Sequence, residues 1–324
     1  MNRMKTRLKA RLVVILCLVA SLLYPLFELN EYRIYLMNIG LINCIVASGI
    51  VFVTGFAGQI SFGQAAFYAI GAYSSAILTK TYKVPLSIGM AIGALISLLL
   101  GLALSIPSFK LRAFFLSLVT IGFGQIVHMI LINWRSVTGG SYGFFGIPPM
   151  KIGGHIFSYG DYYLILLLTL MFVIFVMYKI RYSYIGKCML AINDDEIAAS
   201  TCGVNVKKLK MFAFAFSAVV ASIAGSIYAH MSGFLTPEPF SFFQSSNFVA
   251  MAVIGGLRSI LGGLIGGMVL TILPELLRLG KYRGWENYYL IVTSLIVIAI
   301  VVRMPKGLSQ IPHVLLRRAR RNVS

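Results

Sequence analysis

The sequence predicts an all-α, polytopic membrane-helix bundle of about eight to ten spans, with broken or re-entrant helices near 54–63 and 254–263. Three observations lead there. First, 59% of the 324 residues are hydrophobic and only 11% are charged, against roughly 25% charged in an ordinary soluble domain. No single globular core buries that much apolar surface, so lipid is part of the solvent. Second, apolar runs recur at 12–27, 34–54, 64–79, 84–106, 112–133, 161–178, 211–235, 245–275 and 288–302. Each approaches the roughly 20 residues that a helix needs to cross a bilayer. Third, period-2 alternation is absent, which disfavours a transmembrane β-barrel.

The first run follows a basic segment, 1–11, and resembles a signal peptide. No small-x-small cleavage site follows it, so it reads as a retained first helix. The formal net charge of +19 would suggest nucleic acid in a soluble protein. Here the basic residues sit at the ends of apolar runs, where they set orientation. Five lie in 1–11, six in 179–210 and six from Arg303 onward, while 134–160 holds only Arg135 and Lys151. With Lys110 and Arg112 also inside, the positive-inside rule places both termini in the cytoplasm and 134–160 outside. The predicted organisation is a basic N-terminus (1–11), one transmembrane domain (12–303) and a basic tail (304–324), in a bacterial inner membrane. Cys17, Cys44, Cys188 and Cys202 follow no metal spacing. The first two lie in apolar runs, where thiols pack as small hydrophobes.

Nine simple crossings would put the basic tail on the wrong side. The run 245–275 is interrupted by Gly255, Gly256, Arg258 and Ser259, so it is predicted to form two short helices that return the chain. The stretch TGFAGQISFG (54–63) carries similar punctuation, with Gly55, Gly58, Gln59, Ser61 and Gly63 between two apolar runs. Gly55 and Gly255, Ile60 and Ile260, and Gly63 and Gly263 lie 200 positions apart. Irregular backbone at membrane depth survives only when buried in protein or lining a water-filled path, and paired broken helices point to a transport path. With 31 glycines in the chain, chance offers such a match as well. Gly71, Gly89, Gly93, Gly101, Gly263, Gly266 and Gly267 read chiefly as helix-packing positions.

Catalytic constellations are scarce. The nine acids, Glu28, Glu31, Asp161, Asp194, Asp195, Glu196, Glu238, Glu275 and Glu286, fall in loops or near run ends. No metal cluster, Walker A sequence or nucleophile elbow is found. His128 lies in or near a span; a packed, hydrogen-bonded residue is the simpler reading, a proton relay the other. Without carboxylates at span centres, ion coupling is disfavoured; if transport is uphill, its energy comes from elsewhere. The loop 179–210 offers an entry. Asn193 or Asp194 can cap a helix there, Asp195 and Glu196 suit its positive end, and Gly203 can terminate it. Ile197, Ala198, Ala199 and Cys202 give a shallow apolar face. At about 14 Å this helix cannot cross the membrane; it either enters a groove on a soluble partner or lies on the bundle.

These residues carry a resemblance. The stretch 191–230, AINDDEIAASTCGVNVKKLKMFAFAFSAVVASIAGSIYAH, together with GFAGQISFGQAAFYAIGAY (55–73), KLRAFFLSLVTIGFGQIV (110–127), TGGSYGFFGIP (138–148), VIGGLRSILGGLIGG (253–267) and MPKGL (304–308), resembles ABC permeases for branched-chain amino acids. The likeness runs from about 34 to 309 and is nearer to the LivM-type subunit than to its shorter LivH-type partner. It implies a non-catalytic membrane subunit, paired with a LivH-type permease, two cytoplasmic ATPase subunits that bind the ATP, and a periplasmic or lipid-tethered binding protein. In that family a Glu-Ala-Ala-type loop docks on the ATPase, and Glu196, Ala198, Ala199 and Gly203 match its pattern, with Asp194 and Asp195 beside them. The segment Thr138, Gly139, Gly140 and Ser141 is the expected outer contact for the binding protein. The chain departs from the family at Asn193, where an arginine is usual, at Gln64, where a histidine is usual, and at Arg258, where a glycine is usual. The expected activity is ATP-driven import of branched-chain amino acids. Import of urea or short amides, a passive channel and an ion-coupled carrier are the alternatives.

Overall fold

The computed structural model describes residues 30–106, 113–152, 154–278, 289–304 and 307–310. The run 12–27 with Cys17, the pair Lys110 and Arg112, Glu28, Glu286 and most of the basic tail lie outside the described residues. The rest is helical, as predicted. In chain order the helices are α1 (Glu31–Ile50), α2 (Gln64–Thr81), α3 (Leu86–Ser105), α4 (Ala113–Asn133), a one-turn α5 (Arg135–Thr138), α6 (Tyr159–Tyr182), α7 (Tyr184–Asp194), α8 (Glu196–Thr201), α9 (Val206–Ser232), α10 (Phe242–Gly255), α11 (Gly262–Arg278) and α12 (Tyr289–Arg303). Among the described residues, α1 with its extension to Phe56, α3, α4, α6 and α9 are each long and apolar enough to cross a bilayer. The strands are two residues each. β1 (Phe144–Phe145) pairs antiparallel with β4 (Phe234–Leu235), and β2 (Lys151–Ile152) with β3 (His155–Ile156). They gather at one end of the bundle; α7 and α8 lie at the other.

Two helices form the centre. In α1 and its extension 83% of the apolar window is buried, and in α9 67%, against 22% in α3 and α4 and 33% in α6. α1 is enclosed by α6, α9, α10 and α11. The run 245–275 does divide into two helices. α10 and α11 lie against each other, and the chain turns back through 256–261.

Backbone contact, not side-chain interdigitation, sets the closest helix approaches. A Cβ added at Gly71 would stand 2.0 Å from the Ser222 carbonyl oxygen, and one at Gly225 would stand 1.9 Å from that of Tyr68. α2 and α9 therefore touch through two reciprocal glycines. Between these contacts Ser226 Oγ donates to the Gly71 carbonyl (2.9 Å) and Gln64 Nε2 donates to Ser217 Oγ (2.7 Å). His230 is buried between Ser75 Oγ (2.9 Å) and the Pro148 carbonyl (2.7 Å), which ties α2 and α9 to the strand-end loop. On the other side of α1, Gly263 and Gly267 lie against Ser48 and Cys44, and Cys44 is fully buried. The predicted packing glycines thus do pack, because lipid tails leave van der Waals contact and hydrogen bonds as the main drive for helix association.

This geometry separates two glycines. Gly225→Ala forces a methyl onto a carbonyl and is expected to cost about 1–3 kcal/mol, the usual range for overpacking. Gly122 on α4 has nothing within 4 Å of an added Cβ, so Gly122→Ala is expected to be neutral or to stabilise by up to about 1 kcal/mol through helix propensity. Thermal unfolding of the detergent-purified chain distinguishes the two.

Candidate functional site

The helix α1 does not end cleanly. Its last turn widens to a π-helical turn, Val51–Phe56, and the chain then runs irregularly to Gly63. Gly58 takes a left-handed conformation (φ +68°), the usual device for leaving a helix. Thr54 Oγ1 donates to the Gln59 carbonyl (3.0 Å), and Phe62 N donates to Thr120 Oγ1 on α4 (3.0 Å). Gly55, Gln59, Ser61 and Gly63 are buried, and Gly58 is half-buried. Gln59 is 2% exposed, and neither end of its carboxamide has a hydrogen-bond partner.

The second break, 256–261, meets the first directly. A Cβ on Gly55 would lie 1.7 Å from the Leu257 carbonyl oxygen, so glycine alone permits the contact. Gly255 and Gly256 are buried, Ser259 is half-buried and Arg258 is exposed. The irregular backbone is thus buried at its glycines, one of the two environments expected for it, and reaches the surface at Ile60, Arg258 and Leu261. The two segments that are 200 positions apart in sequence lie at the same end of the bundle and touch.

The 179–210 segment reaches both. Asn193 Nδ2 donates to the Gly55 carbonyl (2.7 Å), one of the carbonyls a helix leaves unpaired at its C-terminus. Asp194 Oδ1 accepts from Arg258 Nη2 (2.6 Å). Arg181, at the end of α6, donates from Nη1 to the Arg258 carbonyl (2.6 Å), and its guanidinium lies 5.2 Å from the centre of the Phe56 ring. Both breaks are held by the same short stretch of chain. The Asp194–Arg258 pair is about two-thirds exposed on each side, so it is worth only about 0–1 kcal/mol.

The local structure differs from the sequence reading. One helix of about nine residues was expected from 194 to 203, capped by Asn193 or Asp194. Instead those two residues finish an unforeseen helix, α7, and face the breaks. The cap of the six-residue α8 is Asp195, whose Oδ1 accepts from Ile197 N (2.9 Å) and Ala198 N (3.0 Å). Gly203 does end α8, at φ +81°. Glu196 is not free: its Oε2 accepts from Lys210 Nζ on α9 (2.7 Å), and the Lys210 side chain is only 8% exposed. Of the expected apolar face, Ala199 is buried, while Ile197, Ala198 and Cys202 are exposed. In the sequence Arg181 and Lys210 read only as topology markers; nothing in their local pattern signals their partners.

At the strand end, Thr138 is buried and spans two carbonyls, those of Leu131 and Trp134, at 2.8 Å each. It also accepts from Gly140 N (3.2 Å). Gly139 (φ +79°) and Gly140 (φ +61°) form the turn. Thr138 and buried Gly140 therefore shape the loop and are not surface contacts, whereas Ser141 and its neighbour Tyr142 are exposed.

A family model described as "Branched-chain amino acid transport system / permease component" matches residues 32–301. The chain is 28% identical to the high-affinity branched-chain amino acid transport system permease protein LivM of Escherichia coli, over 93% of this chain and 75% of that protein. It is 24% identical to the LivH permease protein of Escherichia coli, over 86% of this chain and 94% of that one. It is also 24% identical to the ribose import permease protein RbsC of Haemophilus influenzae, over 90% of each. No solved structure matches the chain. With the family model spanning most of its length and its apolar helices packed around two touching breaks, the chain is a multi-pass, non-catalytic membrane subunit and belongs to the ABC permease family of branched-chain amino acid transport system components.

Proposed function

We propose that this chain is the permease subunit of an ATP-driven importer of branched-chain amino acids. The observation that carries the reading is the pair of ties from the end of α7: Asn193 to the Gly55 carbonyl and Asp194 to Arg258. A push on α7 and α8 reaches both helix breaks without an intermediary. The scarcity of acids in the spans removes the usual ion-coupling groups, so a push from a soluble subunit is the energy source that fits. In this reading α7 and α8 lie in the cytoplasm with both termini, and exposed Ile197, Ala198 and Cys202 meet an ATPase subunit that binds the ATP. Asp195 and Glu196 hold the docking helix in shape: the first caps it and the second anchors it to Lys210. A LivH-type permease completes the membrane unit. A substrate-binding protein, periplasmic or lipid-tethered, docks at the strand end near Ser141.

The Gly55–Gly63 and Gly255–Ser259 segments adjoin the translocation path. When α7 moves, Gly55 gives up its Asn193 partner, and the buried Gln59 amide and freed carbonyls become available to a polar solute. Leucine-like substrates are favoured because the LivM likeness covers nearly the whole chain. A sugar is the second reading, supported by the likeness to a ribose permease over nine-tenths of the length.

The deciding experiment is reconstitution of the chain with its co-purifying subunits in vesicles, measuring labelled leucine, ribose and urea uptake with and without ATP. Leucine uptake that requires ATP and resists ionophores is expected; leucine uptake indifferent to ATP would overturn the reading. Within that assay Asn193→Leu, which strands a half-buried carbonyl, is expected to cost about 1–3 kcal/mol and slow uptake about tenfold or more, with ATPase co-purification retained. Asp194→Asn removes an exposed pair and is expected to slow uptake no more than about fivefold. The double exchange Asp194→Arg with Arg258→Asp should recover what either single change loses.

A further inference from the structure

The exposed faces of the outer helices are not alike. Beyond their first turns, α3 exposes Ala91, Leu95, Ile96, Leu99 and Ala103, all apolar. α6 exposes Leu164, Leu168, Met171, Phe172 and Phe175 before its interfacial last turn of Tyr178, Lys179 and Tyr182. Both faces suit lipid tails. α4 breaks the pattern. Its exposed side carries an open groove of about 600 Å³, lined by Gly122, Gln125, Ile126, Met129, Ile130 and Asn133.

Gln125 is the informative residue. It stands two positions from the middle of α4, about 3 Å along the axis, in a helix long and apolar enough to cross a bilayer. It is exposed. A carboxamide facing lipid there would lose its hydrogen bonds to water without replacement, a costly transfer. His128, one turn further, keeps a buried Nδ1 with no hydrogen-bond partner. Asn133 satisfies its amide on its own helix, through the Met129 carbonyl (2.8 Å). Between the large side chains, Gly122 leaves a notch with nothing within 4 Å of an added Cβ, where another helix can approach backbone to backbone. Among the described residues, Gly71, Gly225 and Gly267 meet another helix in this way, and the Gly122 notch is open.

We infer that a second permease chain of the LivH type seats on this face of α4, with a helix in the Gly122 notch and the Gln125 carboxamide hydrogen-bonded across the contact. The inference rests on the reading of the chain as one of two permease subunits. Two distinct permease proteins of the Escherichia coli branched-chain system both resemble this chain along most of its length, so the occupant is a chain of the same build. The all-apolar faces of α3 and α6 offer it no such polar or notched contact.

The test uses the full chain, co-expressed in membranes with a LivH-type permease from the same source. A photoreactive benzoylphenylalanine replaces Ile126 or Met129 on the α4 face, or Leu168 on α6 as the lipid-facing control. Irradiation is expected to join the α4 positions to the LivH-type chain, identified by mass spectrometry, and the α6 position to lipid only. Gly122→Trp should cut the adduct at 126 about tenfold or more while leaving the melting temperature of the isolated chain unchanged. Gln125→Leu should also weaken the adduct. Adducts from α4 only to lipid, only to residues 12–27 of the same chain, or only to a second copy of this chain would overturn the inference, as would a full-strength adduct in the Gly122→Trp variant. ATP-driven leucine uptake without the α4 adduct defeats this assignment and leaves the transport reading standing. The adduct with ATP-independent uptake does the reverse.

Discussion

The irregular stretches at the helix breaks answer to one demand: a backbone carbonyl released from a helix and shielded from water must find another donor. Two such stretches exist among the described residues where α1 and α10 end. Their carbonyls are answered by side chains from the ends of α6 and α7, Arg181 for Arg258 and Asn193 for Gly55. These two helix ends are therefore part of what makes the breaks tolerable. Displacing them reopens the demand they meet.

The glycine seams hold the helices together. The contacts Gly71–Ser222, Gly225–Tyr68 and Gly267–Cys44 are backbone against backbone or nearly so. Such contacts have little room to slide, because the nearest alternative register puts a side chain where a hydrogen now sits. α2 and α9 are thus locked to one register. The backbone hydrogen-bond ladder stops at the two breaks.

Much of the plan was legible in the sequence because it rests on short-range patterns. Apolar runs gave the helices, and the punctuation at Gly255–Ser259 gave the hairpin of α10 and α11. Gly203 marked the end of α8. What was not legible depends on partners far away in sequence. The burial of α1 and α9 relative to α3, α4 and α6 follows from which helices surround which, and all five read as equally apolar. The meeting of the two breaks rests on Gly55 and Leu257, and no local pattern encodes a contact across 200 residues. Asn193 looked like a cap because its composition suits one; tertiary contact with Gly55 instead drew it into α7. Thr138 looked like an exposed loop residue, yet its hydroxyl closes the loop from inside.

The Lys210–Glu196 pair has a consequence for genetics. Lys210 is buried, and its charge is balanced by a half-exposed glutamate on the very helix that faces outward. A buried ion that loses its partner destabilises far more than the pair itself ever contributes. A mutational screen scored by growth on an imported nutrient would therefore mark Glu196 as indispensable, and a reader of that screen would credit it with gripping the neighbouring subunit. The loss would in fact arise within this chain, as a protein that no longer accumulates. Changing Lys210 and Glu196 together to apolar residues of matching volume would separate protein abundance from docking.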